Sequence, residues 1–163
     1  MRRCLLVLVV VLAVAGCGSA DAPKAPRIPA GQRQFSAALN VICRTGDLAA
    51  EQLGKPQTIG QMALGLSRTM PAAITEMRQT EALRPPAQLR STFRRYVNIS
   101  RHQLAFVTAM MKAAQAGNIA AFNRADRRLT ALNTANDLSA EGLGAPYCMS
   151  MATGTPPTPG QTA

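Results

Sequence analysis

Between residues 35 and 151 apolar side chains recur at three- and four-residue intervals, the period of helices that bury one face. The first such segment places Phe35, Ala38, Leu39, Ile42, Ala49 and Leu53 together and stops at Gly54-Lys55-Pro56. A second begins at Thr58, with Gln61 three residues on in the pattern of a capping box. Its apolar face is Ile59, Met62, Ala63, Leu66, Met70, Ile74 and Met77, and the phase survives Pro71, which predicts a kink there and not a break. Pro85-Pro86 marks the start of the third, since proline is tolerated in a first helical turn. That face runs Leu89, Phe93, Val97, Ser100, Leu104, Val107, Met111 and Ala114, with Gly117 as its C-terminal cap. Asn118 then caps a fourth segment whose face is Phe122, Ala125, Leu129, Leu132, Asn136, Ala140 and Leu143. No stretch alternates at the period of a strand. The pattern predicts an all-α protein, an up-down-up-down four-helix bundle, because short connections make successive helices antiparallel.

The ends of the chain differ from this middle. Met1-Arg2-Arg3 is followed by a run of twelve uncharged residues, Cys4 to Ala15, which suits the apolar part of an export leader and is too short to span a bilayer. The run leads into Val14-Ala15-Gly16-Cys17, which resembles the bacterial lipobox. That resemblance implies a lipoprotein signal peptide at 1–16, removed on export. It also implies a Cys17 thiol carrying acyl chains of the palmitate type, and a location outside the cytoplasm, anchored by lipid to the cell membrane. Each buried CH₂ contributes about 0.8 kcal/mol, so two or three chains on one residue hold a protein almost permanently. Residues 17–34, with Pro23, Pro26 and Pro29 evenly spaced, are expected to form a semi-extended tether. The Pro/Thr/Gly-rich residues 152–163 are expected to form a disordered tail, leaving 35–151 as one folded domain.

The cysteines and the charge sharpen this picture. With Cys4 lost in the leader and Cys17 acylated, Cys43 and Cys148 remain, and an exported pair of this kind reads as a disulfide. Helix parity agrees. Four helices bring the start of the first and the end of the last to one end of the bundle, whereas three would separate the two cysteines beyond the Cα distance a disulfide allows. The whole chain has 18 basic and 8 acidic residues; without Arg2 and Arg3 the basic count is 16, a net charge of +8.

A cysteine followed by Arg44, the Leu83-Arg84-Pro85-Pro86 junction, Ala116-Gly117-Asn118 before the last helix and Leu143-Gly144 ahead of the final cysteine resemble small exported helical lipoproteins of the mycobacterial type. The resemblance covers most of the mature chain. It implies the same disulfide-tied bundle and carries over no activity.

Little in the chain suits catalysis. His102 is the only histidine and lies almost opposite the core face, so neither a histidine metal site nor a triad can be assembled. The methionines at core phase read as filler, and no metal or other cofactor is expected. Asp47 and Glu51, one turn apart, read as a solvated face near Arg44, and no phosphate loop, Gly-x-Ser-x-Gly or Cys-x-x-Cys occurs. The chain is therefore expected not to be an enzyme.

Two features remain. Arg90, Arg94, Arg101 and Lys112 fall within about 40° on one flank of the third helix, and Arg124 and Arg128 lie on the outer side of the fourth. Arginine-rich faces suit phosphate and carboxylate partners. Outside the cytoplasm those are lipid headgroups, acidic envelope polymers or an acidic protein, and not nucleic acid. The first expectation is thus a binding or scaffolding lipoprotein of the cell envelope. The alternative is a carrier of a small apolar or amphiphilic ligand in the bundle core, and it rests on Asn136, a polar residue within the apolar stripe. An interhelical hydrogen bond would satisfy that amide, whereas a carrier would hold its ligand between Asn136, Phe93 and Phe122.

Overall fold

A computed structural model describes residues 30–51 and 56–149, with the side chains of 47 and 49–51 left undescribed. The leader, Cys17, the tether to residue 29, Leu53 to Lys55 and the tail lie outside the described residues. Among those described, four helices follow one another without strands: α1 Ala30–Glu51, α2 Ile59–Ala82, α3 Arg90–Gln115 and α4 Ile119–Gly142. Short turns of 3₁₀ helix at Ala87–Leu89 and Pro146–Cys148 precede α3 and follow α4. The architecture is the up-down-up-down bundle that the periodicity predicts. No helix among the described residues is long and apolar enough to cross a membrane.

The helix ends follow local chemistry. Thr58 Oγ1 accepts the Gln61 amide at 3.2 Å, and Gln61 Oε1 accepts the amide of Gln57, one residue earlier than in the usual box. Asn118 Oδ1 accepts the Ala121 amide at 2.9 Å and so caps α4. Gly117 and Gly144 adopt φ of 63° and 65° just past α3 and α4. Each closes a paired terminal motif: Asn118 N–H to Ala113 O with Gly117 N–H to Ala114 O, and Ala145 N–H to Ala140 O with Gly144 N–H to Glu141 O. Ala140 and Ala145 are both fully buried, the apolar contact that accompanies this motif. α2 continues through Pro71, whose ring is exposed.

α1 starts earlier than the apolar pattern indicates, so the boundary expected at residue 35 falls inside the helix. Residues 30–34 lack an apolar anchor, but Gln32, Arg33 and Gln34 are good helix formers and Pro29 stands just outside. The buried stripe of α1 also differs. Phe35, Leu39 and Cys43 are buried, whereas Ala38, assigned to the core by phase, is exposed. The turn after α4 docks on the Ser36–Asn40 side of α1 and rotates the buried face toward it.

The best-packed core sits at one end of the bundle. Phe35, Leu39 and Cys43 of α1 meet Leu89, Phe93, Tyr96 and Val97 at the start of α3, and Ala140, Leu143, Ala145 and Cys148 at the end of α4. The rings of Phe35 and Phe93 cross edge-to-face with centroids 5.3 Å apart. At the other end the buried residues are mostly small: Ala63, Ala113, Ala114 and Ala125, with Met70 and Met110. Small side chains let helix backbones approach, while Leu64 and Ile119 stay exposed.

Candidate functional site

The disulfide organises the packed end. Cys43 and Cys148 are bonded, with Cα atoms 5.1 Å apart, across 105 residues of sequence. Around it α1 grips the segment after α4. Ser36 Oγ donates to Leu143 O at 2.6 Å, Asn40 Nδ2 donates to Gly144 O at 3.1 Å, and the Tyr147 amide donates to Asn40 Oδ1 at 3.1 Å. Two carbonyls that a helix end leaves without intrahelical partners are satisfied in this way. Arg44 lies over the Tyr147 ring, 5.6 Å from its centroid. The Tyr96 hydroxyl donates to Cys43 Sγ at 3.5 Å, the only direction possible because a disulfide sulfur carries no proton. Ser36 and Asn40 were invisible as clamps in the sequence: both are ordinary polar residues beside an apolar stripe.

Asn136, the polar residue in the stripe of α4, is 5% exposed. Its Nδ2 donates to Cys148 O at 3.2 Å, and its Oδ1 lies 3.4 Å from the Ser100 hydroxyl of α3. Gln103 Nε2 adds a second α3–α4 bond, to Asn133 Oδ1 at 3.1 Å. The three residues assigned to a core ligand contact do not come together. Phe93 is locked in the core against Phe35, and Phe122 is fourteen residues before Asn136 on α4, about 21 Å along the axis. What lies beside Asn136 is a half-open recess of about 270 Å³ between α2, α3 and the C-terminal turn, and neither phenylalanine lines it.

All four residues of the basic row on α3, Arg90, Arg94, Arg101 and Lys112, are exposed. Over 22 residues of helix the row is about 33 Å long. Arg101 Nε pairs with Glu81 Oε1 of α2 at 2.7 Å, with side chains 56% and 36% exposed. A pair so exposed contributes at most about 1 kcal/mol, so it orients Arg101 more than it stabilises the fold. It also places this flank of α3 against α2, as does the Thr108 hydroxyl 3.9 Å from Met70 Sδ. On α2 and α3 an open groove of about 530 Å³ is lined by Met70, Pro71, Ile74 and Met111, with Arg78 among its walls. Arg78 beside an apolar floor suits a partner with an anionic and an apolar part, although none of the four residues of the α3 row lines this groove. Arg124 and Arg128 are exposed on α4, next to Arg127 and Asp126, and His102 is exposed on α3. The side chains of Asp47 and Glu51 lie outside the described residues. Among the described residues no three His, Cys, Asp or Glu side chains gather at metal-binding distance.

Fold and site together define a disulfide-tied four-helix bundle with a basic flank and a small recess at its packed end. No protein-family model matches the chain, and neither a curated protein nor a solved structure matches it.

Proposed function

We propose that this chain is a non-enzymatic envelope lipoprotein, akin to the small exported mycobacterial-type proteins it resembles, held outside the cytoplasm by acyl chains on Cys17. Its bundle binds an anionic envelope component along the basic row of α3. The observation that carries this reading is the exposed file of Arg90, Arg94, Arg101 and Lys112 on one flank. Guanidinium groups grip phosphate and carboxylate in two-pronged fashion. The apolar groove formed by Met70, Ile74 and Met111 favours lipid headgroups over a purely polar polymer, because acyl or glycerol carbons then have a surface to cover.

The test uses the chain from residue 17 onward with Cys17→Ser, which removes the anchor. Binding to mixed phosphatidylglycerol–phosphatidylcholine vesicles should fall steeply as salt rises, and pure phosphatidylcholine should bind little. Each basic residue near an anionic surface contributes about 1 kcal/mol, so Arg90→Glu with Arg94→Glu should weaken binding by roughly 30-fold or more. Salt-independent binding, or binding untouched by the double substitution, would overturn the reading.

A further inference from the structure

The open groove on α2 and α3 carries a positive charge that no carboxylate among the described residues answers. Its floor is Met70, Pro71, Ile74 and Met111, with Pro71 and Ile74 exposed. Among the described residues Arg78 is the only charged side chain that lines it, and Arg78 makes no ion pair. Glu81, one turn further along α2, is held by Arg101 of α3 at 2.7 Å. Glu76 lines the recess beside the disulfide and not this groove. The hydroxyls on the rim are spent on their own helix: Ser67 Oγ donates to Leu64 O and Thr75 Oγ1 to Pro71 O, both at 2.9 Å. The guanidinium of Arg78 is thus the charged donor that the groove offers a ligand.

We propose that this groove holds a single-chain anionic amphiphile, a fatty-acid carboxylate lying lengthwise along α2. The Arg78 guanidinium grips its head, since paired N–H groups match the two carboxylate oxygens. Its chain lies over Ile74, Pro71, Met70 and Met111, where the flexible methionines adapt to a chain of no fixed shape. From Ser67 to Arg78 the groove follows eleven residues of α2, about 16 Å of helix. Extended dodecanoate, with C–C bonds of about 1.5 Å bent at the tetrahedral angle, is roughly 15 Å long. The volume of about 530 Å³ equals about 18 waters at about 30 Å³ each, room for the roughly 14 non-hydrogen atoms of that ion. A cationic amphiphile would meet Arg78 with like charge, and a purely polar anion would leave the floor bare. The site narrows the lipid reading of this groove to one chain and rests on that reading for the apolar contact alone; its charge comes from Arg78 and not from the α3 row.

The probe is sodium dodecanoate below its micelle-forming concentration, titrated into the Cys17→Ser chain from residue 17 with its disulfide intact and followed by methyl and amide NMR. Saturable shifts are expected at Met70, Ile74 and Met111. From octanoate to dodecanoate each added CH₂ should tighten binding roughly two- to fourfold, and the gain should stop at tetradecanoate, which outruns the groove. Dodecylammonium should bind at least roughly tenfold more weakly than dodecanoate. Arg78→Glu, a substitution at an exposed position, should reverse that preference. Arg90→Glu with Arg94→Glu should leave dodecanoate binding unchanged, so vesicle binding and groove filling can each fail alone. Equal affinity for dodecylammonium, affinity indifferent to chain length, tighter binding of soluble dihexanoyl phosphatidylglycerol, or no saturable shift would overturn the proposal. The ligand series needs no variant, so the answer does not depend on how Arg78→Glu folds.

Discussion

Gly117 and Gly144 form a matched pair that separates backbone strain from packing. Both have φ near +64°, and both close a helix with the same paired hydrogen bonds. Alanine in the left-handed region costs about 1–2 kcal/mol, and roughly 0.4–1 kcal/mol returns because alanine stiffens the unfolded chain. Gly117→Ala, where a new Cβ meets nothing within 4 Å, should therefore cost about 1 kcal/mol. At Gly144 the same Cβ would lie 3.1 Å from Ser36 Oγ, the hydroxyl that holds Leu143 O at 2.6 Å. Pushing that hydroxyl aside loses a hydrogen bond worth about 1 kcal/mol, for a total of about 2 kcal/mol. Urea unfolding, with unchanged dependence on denaturant, measures both losses. In a Ser36→Ala background the two substitutions should cost the same, because the contact that distinguished them is gone. Equal costs in the unaltered chain, or a difference that survives Ser36→Ala, would refute the account of how α1 clamps the C-terminal turn.

Other positions give simpler readings. Replacing Cys43 and Cys148 together with alanine opens a loop of 105 residues and should lower stability by about 4.7 kcal/mol on the chain-entropy model, measured by the same unfolding curves. A loss under about 1 kcal/mol would mean that the unfolded chain is already constrained there. Asn136→Leu leaves the buried Cys148 carbonyl without its donor, and a loss of about 2 kcal/mol is expected. A neutral result in calorimetry would show that the leucine repacks the site. Asn118→Ala removes the cap of α4 and should cost about 1 kcal/mol, while Asn118→Asp should retain most of it.

Much of the fold was legible because helix phase and helix ends are local properties. The caps at Thr58 and Asn118, the glycine at 117 and the four apolar faces each follow from residues within a turn or two. What sequence could not show depends on neighbours distant in the chain. Along α3 the buried stripe moves from Phe93, Tyr96 and Val97 to Met110, Ala113 and Ala114, about 100° around the axis. The partner differs along the helix: Phe35 of α1 packs at Phe93, while the small buried residues among those described near the other end, Ala63 and Ala125, come from α2 and α4. A single straight phase therefore finds Met111 and misses Met110. Tyr96 escaped notice for a related reason, since its hydroxyl is satisfied by a disulfide sulfur that pattern alone cannot place beside it. The basic row was readable as a row, because arginines at helical spacing need no tertiary information. The groove between α2 and α3 was not, since Met70 and Ile74 come from α2 and Met111 from α3. The recess was half readable: Asn136 marked the place, but Glu76 and Gln103 lie on other helices.

The central claim is that the position of charge on α3, and not the net charge of the chain, selects an anionic partner. Two double substitutions change the net charge equally: Arg90→Glu with Arg94→Glu on α3, and Arg124→Glu with Arg128→Glu on α4. Their affinities for phosphatidylglycerol vesicles, measured side by side at fixed salt, test the claim directly. The account predicts a loss of roughly 30-fold or more for the α3 pair and a much smaller one for the α4 pair. Equal losses would contradict it and leave only a nonspecific cation on a lipid tether.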